Sequence, residues 1–156
     1  MQLGDLQVGA IVAVNALGDV LKEDGSVLAG MLTPDGQGLA DTRKVILENY
    51  ESIAPILAGA GAATTNTTIA AIVTNANFDK TQLKKLAQMA SNGLVRAICP
   101  VNTTADGDSV YALSVGDVTA DINLAGTAAS YALENAIRRA IYAAESAYGA
   151  PALKSL

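Results

Sequence analysis

Histidine and tryptophan are missing from this 156-residue sequence, and cysteine occurs once. Without histidine, the chain cannot supply a Ser-His-Asp triad or a histidine-ligated metal site from its own residues. The single cysteine, Cys99, allows neither an intrachain disulfide nor a thiolate metal cluster. It stands between Ile98 and Pro100, a setting typical of a buried small hydrophobic residue. These absences exclude common classes of nucleophilic and metal-dependent active site.

Basic runs and long apolar segments are also missing. The formal net charge is −5 at pH 7, which argues against a nucleic-acid-binding surface. No stretch reaches the roughly 18 continuous apolar residues that a membrane-spanning helix needs, and the opening residues MQLGD are not a secretory signal. We therefore predict a cytoplasmic protein that binds neither nucleic acid nor a membrane.

Small aliphatic residues dominate what is present. Hydrophobic residues make up 51% of the chain, whereas aromatic residues make up 4%. A chain of this length is long enough for one compact domain with its own core, and small side chains favour close packing of helices on a sheet. We predict a single domain over residues 1–156.

Three short apolar runs predict β-strands over residues 8–14, 68–74 and 109–115. The strand at 68–74 is apolar on both faces except at its ends, so we expect it to lie inside the sheet. Turn-forming residues follow the first strand over residues 15–20, and residues 31–40 are predicted to form a loop.

Helix signals alternate with these strands. A short helix is predicted over residues 41–51, and the Gly/Ala/Thr-rich residues 58–65 are predicted to be a flexible connection. Asp79 and Gln82 have the spacing of a capping box. The helix that follows carries one apolar face at helical spacing: Leu83, Leu86, Ala87, Ala90 and Leu94.

A final long helix is predicted over residues 124–148, stopped by Gly149 and Pro151. Gly93 lowers the helix propensity of the preceding helix, and close packing would explain its presence. Strands that alternate with amphipathic helices indicate an α/β or α+β fold.

The bond between Asn66 and Thr67 has the features that self-activation of a hydroxyl nucleophile requires. Without histidine, the base can be the α-amino group of the nucleophile itself once that residue becomes N-terminal. Its pKa is ordinarily about 7.7–8.0, and partial burial lowers it because burial disfavours the charged form. The bond lies between a predicted flexible segment and a predicted strand. Threonines before a strand also commonly form only a turn, and the residues alone leave both interpretations open.

Longer motifs resemble the DmpA-type peptidases, the family of L-aminopeptidase/D-esterases, β-aminopeptidases and nylon-oligomer hydrolases. The similar stretches are NTTIAAIVTNA, the helix LKKLAQMASNGLVRAI and the strand entry DGDSVYAL. In order and spacing the likeness runs from VGAIVAVNALGDV to the C-terminal helix. Members of this family are made as a precursor that cuts itself before a serine or threonine, and the exposed residue becomes the nucleophile.

The resemblance implies a site with four residues. Thr67 would be the nucleophile, with cleavage between Asn66 and Thr67, and Asp106 and Asp108 would be acidic partners of its amine and hydroxyl. Asn15 would polarise the scissile carbonyl or hold the oxyanion. Neither a metal nor an organic cofactor is required.

Each assignment has a simpler alternative. The Asp106-Gly107-Asp108 run alone is typical of a tight solvated turn, and Asn15 alone is typical of a turn at a strand end. The two aspartates do not form a calcium loop, because the other ligand positions of such a loop, including the late glutamate, are missing.

The resemblance also implies a four-layer α/β/β/α sandwich of the N-terminal-nucleophile type. This chain is similar to the C-terminal half of the family, with residues 1–66 ending the large subunit and residues 67–156 forming the small one. We expect a homo-oligomer or a partnership with the missing N-terminal half. The predicted activity is hydrolysis of a small peptide or amide through an acyl-threonine intermediate. The alternatives are an inactive family remnant and a non-enzymatic oligomeric binding module.

Overall fold

A computed structural model of the chain describes residues 1–51, 54 and 66–155. Its strands are β1 (Gln2–Leu3), β2 (Leu6–Ala13), β3 (Asp19–Leu21), β4 (Val27–Ala29), β5 (Ile69–Ala76), β6 (Ile98–Cys99) and β7 (Ser109–Val118). Its α-helices are α1 (Thr42–Glu48), α2 (Lys80–Ala90), α3 (Asn92–Ala97) and α4 (Ile122–Ala143), and a 3₁₀ turn covers Leu153–Ser155. The predicted mixed α and β class is confirmed. The predicted connection at 58–65 lies outside the described residues.

The main sheet has the strand order β1-β2-β5-β7. β2 runs antiparallel to β5, and β5 runs parallel to β7. The prediction that the second long strand is internal is confirmed, because β5 lies between two partners. In this register Ala71 is aligned with Ile11 on one side and with Tyr111 on the other.

A second, antiparallel sheet has the order β4-β3-β6. Its strands are two or three residues long, too short for a recognisable alternation of apolar and polar residues. Residues 15–20 were predicted as a turn, but Asp19 and Val20 belong to β3 and are buried.

The two faces of the main sheet differ in exposure. One face packs against α2 and α4 and buries Ala70, Ile72 and Ala76 of β5. The other face, here called the open apolar face, is left uncovered by the described residues. It presents apolar side chains of the three long strands, including Ile11 at 73% exposure, and Ile69, Tyr111, Leu113 and Val115.

The helix after β5 begins after Asp79, as predicted, but it is interrupted after Ala90, whereas its predicted apolar face ran to Leu94. Asp79 and Gln82 form the capping box. The helix stops at Ala90, since Ser91 lies at the junction and its carbonyl accepts a shorter-range bond from the Leu94 N–H. Gly93 lies against α4, where a Cβ atom would overlap the Ser130 carbonyl oxygen. Close packing therefore explains this glycine.

Three other boundaries or burial predictions need correction. The last helix ends at Ala143, before the predicted end at 148, because Ala144 is extended and residues 147–150 form a turn with Gly149 at φ +82°. α1 ends at Glu48, with Asp41 as its N-cap. Asn49 interrupts the predicted helix, and Tyr50 and Glu51 are helical again. Cys99 is only half-buried.

No helix in the described part of the chain is long and apolar enough to cross a membrane. The cytoplasmic location stays a prediction.

Candidate active site

The Asn66–Thr67 peptide is held on both of its polar groups. The Thr67 N–H donates to the Asn15 carbonyl oxygen at 2.7 Å. The Asn66 carbonyl oxygen accepts from the Gly107 N–H at 2.9 Å and from the Thr67 hydroxyl at 2.6 Å. Two donors on one carbonyl oxygen draw electron density from its carbon, and one of those donors is the hydroxyl next in the chain.

Continuation of the parallel pairing between β5 and β7 creates this arrangement. Asn66 and Asp106 form a parallel bridge ahead of both strands, and the Ser109 N–H donates to the Thr68 carbonyl at 2.9 Å. Side chains alternate along an extended chain. Thr68 is fully buried on the helix side, which places Thr67 on the same side as Ile69. The half-buried Thr67 therefore lies at the end of the open apolar face.

The Asp106 carboxylate organises the turn that precedes β7. Its Oδ2 accepts from the Thr103 N–H at 3.0 Å and from the Thr103 hydroxyl at 2.7 Å. The Asp106 N–H in turn donates to the Thr103 carbonyl at 3.1 Å. These reciprocal bonds fix the turn, and through it the position of the Gly107 N–H.

The Asp108 carboxylate bonds to the backbone of the residue that follows the Asn66–Thr67 peptide. Its Oδ1 accepts from the Thr68 N–H at 2.7 Å, and its Oδ2 accepts from the Asn102 N–H at 3.4 Å. Neither aspartate makes a hydrogen bond to the Thr67 hydroxyl within the described residues. Among the described residues, no three acidic or cysteine side chains are grouped so that they could hold a metal ion.

Gly107 is close to the Thr67 side chain. A Cβ atom at residue 107 would lie 2.8 Å from the Thr67 Oγ1, closer than such atoms normally approach. Only glycine therefore leaves the hydroxyl its present position.

The structure brings Asn15, Asn66, Thr67, Asp106 and Asp108 together at one end of the main sheet. Asn15 reaches Thr67 through its backbone carbonyl; the predicted role of its side chain remains a prediction. Two groups were missed, the Asn15 carbonyl and the Gly107 N–H, because backbone atoms leave no mark in a residue pattern. The Thr103-x-x-Asp106 spacing, typical of a side-chain-to-backbone turn, was a signal for the turn.

Comparison with known proteins identifies a family whose model matches this chain. The model of peptidase family S58 matches residues 1–154. An uncharacterized aminopeptidase of Mycobacterium leprae is 33% identical over 160 residues, which cover 92% of this chain and 42% of the relative. A 6-aminohexanoate-oligomer endohydrolase of an Agromyces species is 31% identical over 120 residues, 75% of this chain and 32% of the relative. The chain spans less than half the length of these relatives.

Proposed function

Because the chain belongs to peptidase family S58, the DmpA-type peptidases, we propose that it is a self-processing amidohydrolase with Thr67 as its nucleophile. The observation that carries the proposal is the contact between the Thr67 hydroxyl and the Asn66 carbonyl, which also accepts the Gly107 N–H. The names of the relatives, an aminopeptidase and an oligomer endohydrolase, support amide hydrolysis as the reaction.

The first step of the proposal is an acyl shift within the chain. The Thr67 oxygen attacks the Asn66 carbonyl carbon, and the Gly107 N–H stabilises the negative charge that develops on the carbonyl oxygen. The C–N bond then breaks, the proton lost by the Thr67 hydroxyl passes to the Thr67 nitrogen, and an ester joins Asn66 to the Thr67 oxygen. Water hydrolyses that ester, which leaves a carboxylate on Asn66 and a free amine on Thr67.

The second step uses the new amine on a substrate. The amine takes the proton of the Thr67 hydroxyl as it attacks a substrate amide, and the proton passes to the leaving amine. Water then hydrolyses the acyl-threonine. The Asn15 carbonyl, at 2.7 Å from the Thr67 nitrogen, is the acceptor that orients the amine, and Asp106 and Asp108 stabilise its charged form.

The proposal divides the chain into residues 1–66 and 67–156 as the two products of processing. It also assigns a partner to the open apolar face. This face carries several exposed apolar side chains, and the M. leprae relative is more than twice as long as the part of it that matches this chain. We propose that the remaining part of the family polypeptide packs on this face and completes the substrate site.

Intact mass and N-terminal sequencing of the purified protein test the nucleophile. Cleavage should give two fragments, the second beginning with Thr67, while Thr67→Val should remain one chain and Thr67→Ser should still cut. Thr68→Val is the matched control. The Thr68 hydroxyl is fully buried and has no hydrogen-bond partner among the described residues, so its loss should leave cleavage unchanged.

The measurement is made on this chain alone and after coexpression with the part of a family polypeptide that this chain does not match. Wild-type protein that stays whole in both cases would support the inactive-remnant alternative. Cleavage that persists in Thr67→Val and stops in Thr68→Val would show that Thr68, and not Thr67, is the nucleophile.

A further inference from the structure

An apolar cavity of about 280 Å³ lies between α1 and the loop that leads to the two aspartates. Its lining includes the apolar residues Leu17, Ile46, Leu47 and Pro100. Ligand cavities commonly measure roughly 300–1,000 Å³. This one therefore suits one short aliphatic segment.

The chain connects two walls of this cavity directly to the candidate site. Leu17 follows two residues after Asn15, whose carbonyl accepts from the Thr67 N–H. Ala105, which also lines the cavity, directly precedes Asp106, the bridge partner of Asn66. Two walls of the cavity are therefore within two residues of groups that contact Asn66 or Thr67.

The α1 wall is held in place by a buried carboxylate. Asp19 is 1% exposed and accepts from both the N–H and the hydroxyl of Thr42, each at 2.6 Å. It also accepts from the Met31 N–H at 3.0 Å. A carboxylate that is buried and bonded to three donors fixes the start of the helix against β3. The α1 wall of the cavity is thus held by bonds within the chain.

One cation, Arg43, is among the residues that line the cavity. One guanidinium nitrogen contacts the Asp41 carboxylate at 3.3 Å, and the Arg43 side chain is 59% exposed. A guanidinium has five N–H donors, so it keeps donors for a second carboxylate. An ammonium group at the same place would be repelled.

We propose that this cavity binds the leaving-group side of the substrate, an aliphatic segment that ends in a carboxylate. The inference rests on the proposed function, since it assigns the cavity to the amide that Thr67 cleaves. An aminopeptidase substrate carries its ammonium on the acyl side and its free carboxylate on the leaving side. Arg43 therefore distinguishes the two ends and sets the direction in which a substrate lies.

The test is an NMR titration of the uncut Thr67→Val chain with hexanoate, using hexan-1-ol and hexylammonium as probes of equal chain length. Hexanoate should shift the amide signals of Leu17, Ile46 and Ala105 and should bind most tightly of the three. Arg43→Gln should weaken hexanoate binding about fivefold or more, as expected for loss of a charge-assisted hydrogen bond, and Arg43→Lys should weaken it less. Arg139→Gln, on the exposed side of α4, is the matched loss of charge and should leave the affinity unchanged.

Three results would overturn the inference: hexanoate shifts that map away from the cavity, equal affinity for hexanoate and hexan-1-ol, or tighter binding of hexylammonium. Retained amide dispersion in each variant shows that folding is intact. Binding to the uncut variant does not require cleavage. Failure here therefore leaves the role of Thr67 standing. Failure of self-cleavage would remove the leaving-group assignment but would not change the measured affinity of the cavity for a carboxylate.

Discussion

At the scale of single residues, the candidate site depends on one close approach between a glycine and a threonine. Gly107 supplies an N–H to the Asn66 carbonyl, and its missing side chain leaves room for the Thr67 hydroxyl. The same residue thus polarises the Asn66 carbonyl and permits the Thr67 hydroxyl to contact it. A side chain at residue 107 would displace the Thr67 hydroxyl, whereas the N–H of residue 107 could still donate to the Asn66 carbonyl.

Gly107→Ala should slow self-cleavage by about tenfold or more. The added Cβ atom would lie 2.8 Å from the Thr67 Oγ1, so the hydroxyl must turn away from the Asn66 carbonyl, and a misplaced reacting group is costly. The rate is measured from the fraction of uncut chain over time by intact mass.

Gly9→Ala is the control for this substitution. A Cβ atom at residue 9 would meet its nearest neighbour, the Val73 carbonyl oxygen, at 4.0 Å, an ordinary contact, so cleavage should proceed at the wild-type rate. A Gly107→Ala protein that cuts as fast as wild type would show that the contact between Thr67 and Asn66 is not the reactive one.

At the scale of elements, a charged network joins α3, α4 and β3. The Glu134 carboxylate of α4 accepts from Arg96 of α3 at 2.7 Å and from Arg138 of α4 at 2.7 Å. Arg138, which is buried, also donates to the Leu21 carbonyl at 2.9 Å. Burial acts to raise the pKa of Glu134, but the bonds from the two arginines outweigh it and hold the pKa below the ordinary 4.5.

This network should lose its stabilising effect in acid. Because the pKa of Glu134 is lower in the folded than in the unfolded chain, the unfolded chain binds the proton more readily. The contribution is therefore present at neutral pH and lost as the pH falls below 4.5. Glu134→Gln should lower the free energy of unfolding by about 2 kcal/mol at pH 7 and by much less near pH 3.

Urea unfolding followed by circular dichroism at the two pH values measures this difference. Glu145→Gln removes an exposed carboxylate just after α4 and should change the free energy of unfolding by less than about 0.5 kcal/mol at either pH. A difference between wild type and Glu134→Gln that grows toward acid would contradict the assigned pKa shift.

At the scale of the whole molecule, the main feature is a sheet with helices on one face. The open apolar face has Ile11, Tyr111 and Val115 at 73%, 61% and 68% exposure, and they are contributed by β2 and β7, the two strands on either side of β5. Apolar patches of this kind mark surfaces that bind another protein. This chain matches less than half the length of these two relatives and exposes such a face. We therefore expect it to associate with another protein chain.

Purified alone, the chain should therefore self-associate through this face. Replacing Ile11 and Leu113 with lysine should yield a monomer in sedimentation velocity at micromolar concentration, because two charges cannot be buried unpaired in an apolar interface. Tyr148→Lys, a fully exposed position outside the sheet, should associate like the wild type. A wild-type chain that is monomeric under the same conditions would contradict the proposed role of the face.

Local patterns in the sequence were enough to predict three strands, the capping box at Asp79 and the position of the Asn66–Thr67 bond before a buried strand. Alternation of apolar residues and capping chemistry depend on neighbours within a few positions, so they can be recognised without a partner. The family resemblance added the two aspartates. Short strands and helix ends were missed or misplaced, because contacts from distant segments decide them.

What only the tertiary structure decided is which groups meet at Thr67. The parallel register of β5 with β7 brings Gly107 to a peptide forty residues earlier, and the antiparallel β2 brings the Asn15 carbonyl to the same peptide. The buried Asp19, which the sequence pattern assigned to a turn, anchors α1 through Thr42. Strand register depends on the burial of whole faces. The sequence alone therefore determines that this chain has no imidazole to offer as a base, and the strand register determines which groups surround Thr67.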